Sequence, residues 1–347
     1  MRLLTVFLAI GVTFPAVAHD LGVDVSGAMT TSSDINPRSG LLGVGLSGAW
    51  DVSDSFSLFG LAGYLRDLPT RTETTSSPGG DIFRFSLGAQ WLPHPQWMVM
   101  LALSGSPPSQ QTNTSTRRVY EPLTGNARYV DVVIDSDSYS VGAQLFGGWL
   151  SDGTGPVDSM VDVGVGVNRY DIFQQVRLGD GPGADFVRRV CERRRSQVRQ
   201  LVHGVSTPLW QGRFSASYTA TLWRHTDVGV EGAVYVYDAD PANVGYFSVV
   251  QAGRSDLGSG VPVLPLLFSV RPTVAHRFSA LTVRLSYQYG HYASFLGAMH
   301  AATAKVTWKV FDGWRLSLSV TGQVDVDLAP SVVSLGGAAV LGVMRVF

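Results

Sequence analysis

Apolar and polar residues alternate along most of the chain with a period of two. Between 83 and 91, for example, Phe83, Phe85, Leu87 and Trp91 share one parity, and small or polar residues occupy the other. Successive side chains of a β-strand point to opposite faces, so this pattern predicts strands with one apolar face. About fourteen segments follow it, namely 20–30, 41–52, 56–66, 81–92, 97–106, 138–150, 157–169, 210–223, 228–238, 264–275, 280–291, 300–310, 314–326 and 332–347. The sequence therefore predicts an all-β fold.

The connections between these segments alternate between short and generally longer ones, and aromatic residues flank the short ones. Five short turns have tryptophan or phenylalanine at their edges: Trp50 to Phe56, Trp91 to Trp97, the turns after Trp149 and Trp223, and Trp308 to Trp314. Aromatic rings favour the headgroup layer of a bilayer because they combine an apolar body with a polar edge. We therefore predict a closed antiparallel transmembrane β-barrel of about fourteen strands, with both termini on the short-turn side. Its predicted aromatic girdle comprises Trp50, Trp91, Trp97, Trp149, Trp308 and Trp314.

Several positions leave the strand count open, with twelve or sixteen strands as alternatives. Residues 128–135 and 244–252 also have strand character, and Pro272 lies inside a predicted strand although a closed ladder requires an amide donor there. Trp223 and Arg345 have the wrong parity for their surroundings. A soluble secreted β-sandwich would alternate as well, but its apolar face would form a core, which fits the aromatic-flanked turns poorly.

The apolar parity is assigned to the lipid because the opposite assignment is costly. It would place Arg84, Arg284 and Lys305 against lipid, at roughly 2 to 4 kcal/mol each near the bilayer midplane. The lumen face then carries a set of cations that could favour anions, namely Arg84, Arg271, Arg284, Lys305, Lys309 and Arg315. Glu231 lies at a depth similar to that of Arg271 and could neutralise it, which leaves a purely structural role for these charges open.

The ends of the chain predict export and membrane insertion. Residues 1–18 have the features of a secretory signal peptide, with Arg2 before an apolar stretch and a small-residue cleavage site at 16–18. The barrel is predicted to occupy 19–347. Phe347 ends an alternating segment, and this resembles the terminal strand of bacterial outer-membrane β-barrels, which the insertion machinery reads.

Composition excludes several other classes of protein. Without Arg2 the 26 basic residues fall to 25 against 27 acidic ones, so no global positive field attracts nucleic acid. The single cysteine, Cys191, can form neither an internal disulfide nor a CxxC metal clip, and its role stays open. No cofactor or metal site is predicted, because phosphate-loop and HExxH patterns are absent.

An arginine-rich segment occupies the external connection 170–210. Between Ala184 and His203, apolar residues recur at helical spacing without glycine or proline, so a short amphipathic helix is predicted. Its basic residues are Arg188, Arg189, Arg193, Arg194, Arg195 and Arg199. The segment is expected to bind lipopolysaccharide phosphates, to fold inward as a constriction, or to be a solvated charged loop.

The pattern as a whole resembles the class of fourteen-stranded bacterial outer-membrane channel and transport barrels, without indicating a family. It departs from the fatty-acid transport barrels, which have a plug before the first strand, because the first predicted strand begins within a few residues of His19. The resemblance implies an outer-membrane, porin-like passive channel for small hydrophilic solutes. The alternative is a non-conducting surface barrel whose loops bind lipopolysaccharide or a partner. A lipid-facing hydrolase using His291 or His300 is the least favoured hypothesis, and the oligomeric state stays open.

Overall fold

The computed structural model describes residues 20–32, 39–71, 75–77, 79–120, 127–151, 158–180, 182–193, 204–222, 225–239, 266–293, 297–326 and 333–346. These residues form sixteen strands and one helix. The strands are β1 (Asp20–Ser32), β2 (Ser39–Ser53), β3 (Phe56–Asp67), β4 (Thr70–Arg71), β5 (Thr75–Ser77), β6 (Gly80–His94), β7 (Trp97–Tyr120), β8 (Ala127–Leu150), β9 (Asp158–Leu178), β10 (Val205–Leu222), β11 (Thr226–Tyr237), β12 (Leu266–Arg277), β13 (Leu281–Tyr292), β14 (Ala298–Phe311), β15 (Trp314–Val326) and β16 (Val333–Val346). The helix, α1, is Pro182–Arg193, and no described helix is long and apolar enough to cross a membrane.

Fourteen of the strands close into one antiparallel barrel, which confirms the predicted fold and strand count. Each strand pairs with its neighbour along the chain, and β1 pairs with β16 from Asp20 opposite Val346 to Ser32 opposite Ser334. The two remaining strands, β4 and β5, form a small hairpin, and β5 pairs with β7 at Thr114 and Ser115. Every predicted segment corresponds to one barrel strand.

The strand pairing shows where the positions that left the strand count open lie in the barrel. Residues 128–135 are the first part of β8, whereas 244–252 and Trp223 lie outside the described residues, as do 1–18 and Phe347. Pro272 pairs with Val230 of β11, while the pairs between β12 and β13 skip it and resume at Thr273. The proline therefore interrupts the ladder on one side without breaking the strand. Arg345 does lie on the outer face, where its guanidinium carbon is 5.5 Å from the centre of the Trp314 ring.

The two ends of the barrel differ in the length of their connections. Asp20 and Val346 lie at the same end as the tight turns that follow β2, β6 and β14. The longer connections lie at the opposite end, and one of them contains α1. This asymmetry is typical of outer-membrane barrels, which have short periplasmic turns and longer external loops. We therefore call the two ends periplasmic and external.

The pairing register assigns each side chain to the outer or the inner face. Directly opposite residues of antiparallel strands project to the same face. Leu87, Leu103 and Ala143 lie opposite one another on β6, β7 and β8, and Ala143 lies opposite Val167 of β9. Leu87 and Leu103 are 60% and 50% exposed, and exposed apolar residues of this parity recur on neighbouring strands, whereas the other parity carries the charged Arg84, Glu231 and Lys305. Their face is therefore the lipid-facing surface, and the other parity lines the lumen.

Three neighbouring strands extend far beyond the others at the external end. β7 and β8 are each 24 residues long and pair up to Tyr120 opposite Ala127, and β9 has 21 residues. Polar side chains connect the three strands on their outward face. Thr112 and Thr116 donate to Asp135 and Asp131 over 2.8 and 2.7 Å, and Arg177 forms an ion pair with Asp135. We call this region, 109–120 with 127–140 and 170–178, the external extension.

The Asp135 ion pair makes the external extension sensitive to acid. The hydrogen bond from Arg177 holds the pKa of Asp135 below its ordinary value. A depressed pKa contributes stability above the unfolded-state value of about 3.9, and the contribution is lost as pH falls through the folded-state pKa. Because the pair is partly exposed, the contribution is expected to be below about 1 kcal/mol.

Hydrogen-exchange protection factors, corrected for the pH dependence of chemical exchange, measure this effect. Protection of 127–140 in β8 is expected to be constant between about pH 7 and 5 and to decline as pH falls below the unfolded-state pKa of about 3.9. Asp135→Asn, which cannot titrate, should show no decline beyond that of the barrel strands. A wild-type extension whose protection is independent of pH over this range would contradict the prediction.

Candidate functional site on the inner wall of the barrel

The inner wall carries all six of the predicted lumen cations. Arg284 of β13 lies directly opposite Lys305 of β14, and Lys309 of β14 lies directly opposite Arg315 of β15. Like charges at directly opposite positions destabilise a sheet. All four side chains are exposed on the lumen side, and only Lys309 forms an ion pair within the described part of the chain, with Asp312 at 3.6 Å. We call these four residues the basic arc.

The other inner-wall cations are paired with acids. Glu231 accepts from Arg213 over 3.2 Å and also forms an ion pair with Arg271, which lies directly opposite it. This confirms the predicted neutralisation of Arg271. Arg277 binds Asp227 at 2.5 Å in the same way, closer to the periplasmic end. The wall thus contains ion-paired cations on β10 to β12 and the like-charge pairs of the basic arc, in which only Lys309 has an ion pair within the described residues.

Arg84 also points inward, from β6 on the far side of the barrel. It lies opposite Gly63 of β3, on the parity of Ser86 and away from the lipid-facing Phe83 and Phe85. It is half-buried and interacts with neighbouring groups. Arg84 therefore does not belong to the basic arc.

An apolar part of the inner wall was not predicted from the sequence. Phe59 and Leu61 of β3, Met98 and Met100 of β7, and Phe146 of β8 all have the inward parity. Leu61 is 46% exposed, so its side chain faces free space inside the barrel. We call these five residues the apolar arc.

Glycines let the two aromatic rings of the apolar arc lie along the wall. Phe59 is directly opposite Gly88, and Phe146 is directly opposite Gly164. A Cβ atom on Gly88 would collide with the Phe59 ring, and one on Gly164 would lie 2.5 Å from the Phe146 ring. Side chains at either glycine would therefore push these rings toward the lumen.

A buried polar network occupies the inner wall nearer the external end. Asn168 and Tyr170 of β9 donate to Oε1 of Gln211 on β10, over 2.9 and 3.1 Å. Gln211 donates in turn to the Tyr237 hydroxyl at 3.0 Å, which donates to the Leu266 carbonyl at 2.8 Å. Tyrosines and apolar residues pack around this chain of hydrogen bonds: Tyr170, Leu209, Ala233, Tyr235, Leu266, Tyr292 and Met299. The network fixes β9 to β12 to one another.

The ladder between β6 and β7 is incomplete. The pairing of these strands runs from Trp97 to Gly105 in β7 and stops there. Pro107 and Pro108 follow, and neither has an amide hydrogen to donate. The hydroxyls of Ser106 and Ser109 donate instead to the carbonyls of Phe83 and Asp81, over 2.7 and 2.9 Å. The external end of β6 is therefore attached to β7 by side-chain hydrogen bonds instead of by the backbone ladder.

The six tryptophans of the predicted girdle all lie at the periplasmic end. Trp97 and Trp149 are directly opposite each other, and Trp91, Trp308 and Trp314 are exposed on the outer face. Trp50 shares this face, since it lies opposite Leu58 of β3. Their position agrees with an interfacial girdle, and their contact with headgroups stays a prediction.

Helix α1 covers part of the predicted basic segment. Arg188 is bound locally, since it donates to Asp185 at 2.9 Å and to the carbonyls of Leu178 and Gly179. Arg189 is exposed. The side chains of Arg193 and Cys191, and residues 194–203 with Arg194, Arg195 and Arg199, lie outside the described residues. Arg188 thus holds the start of the helix against the end of β9.

The two outward histidines lie in an aromatic cluster near the external end. His300 shares a 2.6 Å hydrogen bond with the Tyr287 hydroxyl and contacts the Tyr289 ring edge-on. His291 stacks on Phe268 with the ring centres 5.6 Å apart. These contacts fit an interfacial aromatic surface.

Taken together, the closed barrel, its apolar outer face and its short and long ends define an outer-membrane β-barrel. No family model matches the chain, and no curated protein matches it either. Among solved structures, the monoaromatic hydrocarbon channel CymD has a TM-score of 0.57 at 10% identity, covering 94% of this chain and 88% of its own. A FadL homologue of Pseudomonas aeruginosa has a TM-score of 0.55 at 8% identity, with 95% and 90% covered. The toluene transporter TodX of Pseudomonas putida has a TM-score of 0.50 at 11% identity, with 96% and 90% covered. These likenesses concern the fold.

Proposed function

We propose that the barrel is a passive outer-membrane channel for small solutes and that the basic arc gives it a preference for anions. The observation that carries this proposal is that two pairs of like charges occupy directly opposite positions on neighbouring strands, Arg284 with Lys305 and Lys309 with Arg315. The same wall neutralises its other cations with Glu231 and Asp227, so charge compensation was available to the fold. A positive surface that faces the lumen attracts anions by its field.

A second candidate is a channel for hydrophobic solutes. It is favoured by the apolar arc, whose Leu61 side chain is exposed inside the barrel. The names of the similar structures point the same way, because they describe a channel for monoaromatic hydrocarbons and a toluene transporter. Binding of lipopolysaccharide by the external arginine segment, and recognition of the last strand by the insertion machinery, remain separate proposals.

Planar-bilayer recording of the purified full-length protein tests the first candidate. In a potassium chloride gradient, discrete conductance steps are expected, with a reversal potential displaced toward that of chloride. The double variant Arg284→Gln/Lys305→Gln should move the reversal potential toward zero because it removes one like-charge pair. Arg189→Gln, which removes one charge at an exposed position of α1 at the external end, is the control and should leave it unchanged. Absence of steps at every voltage would contradict a channel for ions.

Uptake of a neutral aromatic compound into proteoliposomes tests the second candidate. Under this hypothesis Phe59→Ala/Phe146→Ala slows uptake, while Arg284→Gln/Lys305→Gln does not.

A further inference from the structure

We propose that the channel selects aromatic carboxylates, with the rings carried along the apolar arc and the carboxylate attracted by the basic arc. The inference rests on the proposed channel function and names the substrate class of the same inner wall. It follows from the positions of the two arcs around the barrel and along its axis.

The two arcs face each other across the lumen. In the closed ring of fourteen strands, β7 is seven strands from β14, and β8 is seven strands from β15. Seven is the largest separation that this ring allows. Met98, Met100 and Phe146 are therefore on the wall opposite Lys305, Lys309 and Arg315.

Both arcs also lie in the periplasmic half of the barrel. Phe59 is the fourth residue of β3 counted from its turn, and Met100 is the fourth residue of β7. On the other wall, Arg284 is the fourth residue of β13 and Arg315 is the second of β15. A solute that crosses the periplasmic half of the barrel passes both surfaces.

The charges near the basic arc leave it positive. Among the described residues, three acids lie near it: Asp312 pairs with Lys309 at 3.6 Å, Asp227 binds Arg277 at 2.5 Å and is near Arg284, and Asp24 of β1 is near Lys305. In the described part of the chain, neither Arg284, Lys305 nor Arg315 has an ion pair within 4 Å. A carboxylate can accept hydrogen bonds from a guanidinium and an ammonium together, which relieves the repulsion between Arg284 and Lys305.

The opposite wall favours rings over simple alkyl groups. The rings of Phe59 and Phe146 lie over the glycines opposite them on the inner wall, and aromatic pairs gain energy beyond their buried area. The thioethers of Met98 and Met100 add favourable sulfur contacts with aromatic rings. Neither surface alone would favour a molecule that combines a ring with a negative charge.

The width of the barrel sets the size of the solute. Fourteen strands about 4.8 Å apart and tilted by about 40° give a backbone diameter of about 28 Å, which leaves on the order of 15 Å between facing side chains. A carboxylate with two linked rings approaches that length, so it can touch one wall while its other end reaches toward the second. We therefore expect two-ring acids to be better substrates than benzoate.

Permeation of four probes into proteoliposomes containing the full-length protein tests the inference. The probes are 4-biphenylcarboxylate, its neutral analogue 4-biphenylmethanol, the ring-free anion gluconate and chloride, each corrected for leakage into protein-free vesicles. Channel-dependent permeation of 4-biphenylcarboxylate is expected to exceed that of gluconate and of the neutral analogue by about threefold to tenfold. Equal channel-dependent rates for all three organic probes would overturn the inference.

Two variants separate the contributions of the two arcs. Phe59→Ala/Phe146→Ala should lower permeation of 4-biphenylcarboxylate by about threefold or more and leave gluconate unchanged. Arg284→Gln/Lys305→Gln should slow both anions and leave the neutral analogue unchanged. An apolar-arc variant that slows gluconate as much as the biphenyl acid would overturn the inference, because the two phenylalanines would then affect a solute that has no ring. Circular dichroism and protease resistance confirm that each variant is folded.

The chloride probe distinguishes failure of the inference from failure of the proposed function. A protein that passes chloride but does not distinguish among the organic probes retains the channel function and loses the substrate class. A folded protein that passes no probe above leakage overturns both.

Discussion

Leu103→Arg is expected to lower the free energy of unfolding from a lipid bilayer by about 2 to 4 kcal/mol. Leu103 lies on the lipid-facing surface six residues beyond Trp97 along β7, where it is 50% exposed between Leu87 and Ala143. An arginine at this depth must leave its charge in hydrocarbon or distort the bilayer around it. Denaturant titration of the barrel folded into phosphatidylcholine vesicles measures the effect.

Ser104→Arg is the matched control for this prediction. Ser104 is the next residue of the same strand, and it faces the lumen between Ser86 and Gly142. Its arginine can remain solvated, so a change within about 1 kcal/mol is expected. Equal destabilisation by the two variants, or greater destabilisation by Ser104→Arg, would contradict the assignment of the two faces.

Glu231→Gln is expected to have the largest effect of any single charge change on ion selectivity. Glu231 is bound to both Arg213 and Arg271, so its neutralisation leaves two inner-wall guanidiniums without their acid. The reversal potential in a chloride gradient should move further toward that of chloride. The free energy of unfolding should fall by about 1 kcal/mol, because these ion pairs are partly exposed.

Asp54→Asn removes the same charge at an exposed position in the turn between β2 and β3, and it is the control for Glu231→Gln. It is expected to change neither the reversal potential nor stability. If Glu231→Gln also left both quantities unchanged, Glu231 would have no role in compensating the charge of the lumen. The stability readout tests the ion pairs even if the barrel conducts no ions.

The alternating pattern predicted the fold because the lipid and the lumen impose opposite chemistry on successive residues. It was ambiguous in β3, where both parities are apolar: Leu58 faces lipid, whereas Phe59 and Leu61 face the lumen. Only the pairing of β3 with β2 and β6 decides which parity points inward. The apolar arc was therefore missed, although a strand with two apolar faces in an otherwise alternating barrel was a usable signal.

The inner-wall ion pairs show a second limit of sequence reasoning. The pairing of Arg271 with Glu231 was anticipated from their similar depth, but Arg213 was not included. Its side chain reaches Glu231 diagonally, since Arg213 lies opposite Tyr235 and Glu231 lies opposite Ser217. Such contacts depend on the stagger between neighbouring strands and on side-chain length, neither of which the alternation specifies.

The prolines that follow the predicted segment 97–106 end only one of the two ladders of β7, which the sequence did not indicate. The fifth segment was predicted to end at 106, just before Pro107 and Pro108, and this is where β7 stops pairing with β6. The strand itself continues to Tyr120 because β8 supplies a partner on its other edge. A proline pair therefore ended one ladder of the strand and left the other nearly intact.

The external extension determines what approaching particles meet first at the cell surface. From 127 to 140, β8 spans about 45 Å along its own axis at roughly 3.3 Å per residue, so even a tilted hairpin rises well into the sugar layer outside the bilayer. Its outward face carries Tyr129, Asp131, Asp135 and Asp137. Molecules that approach the cell surface would meet this hairpin before the shorter strands of the barrel.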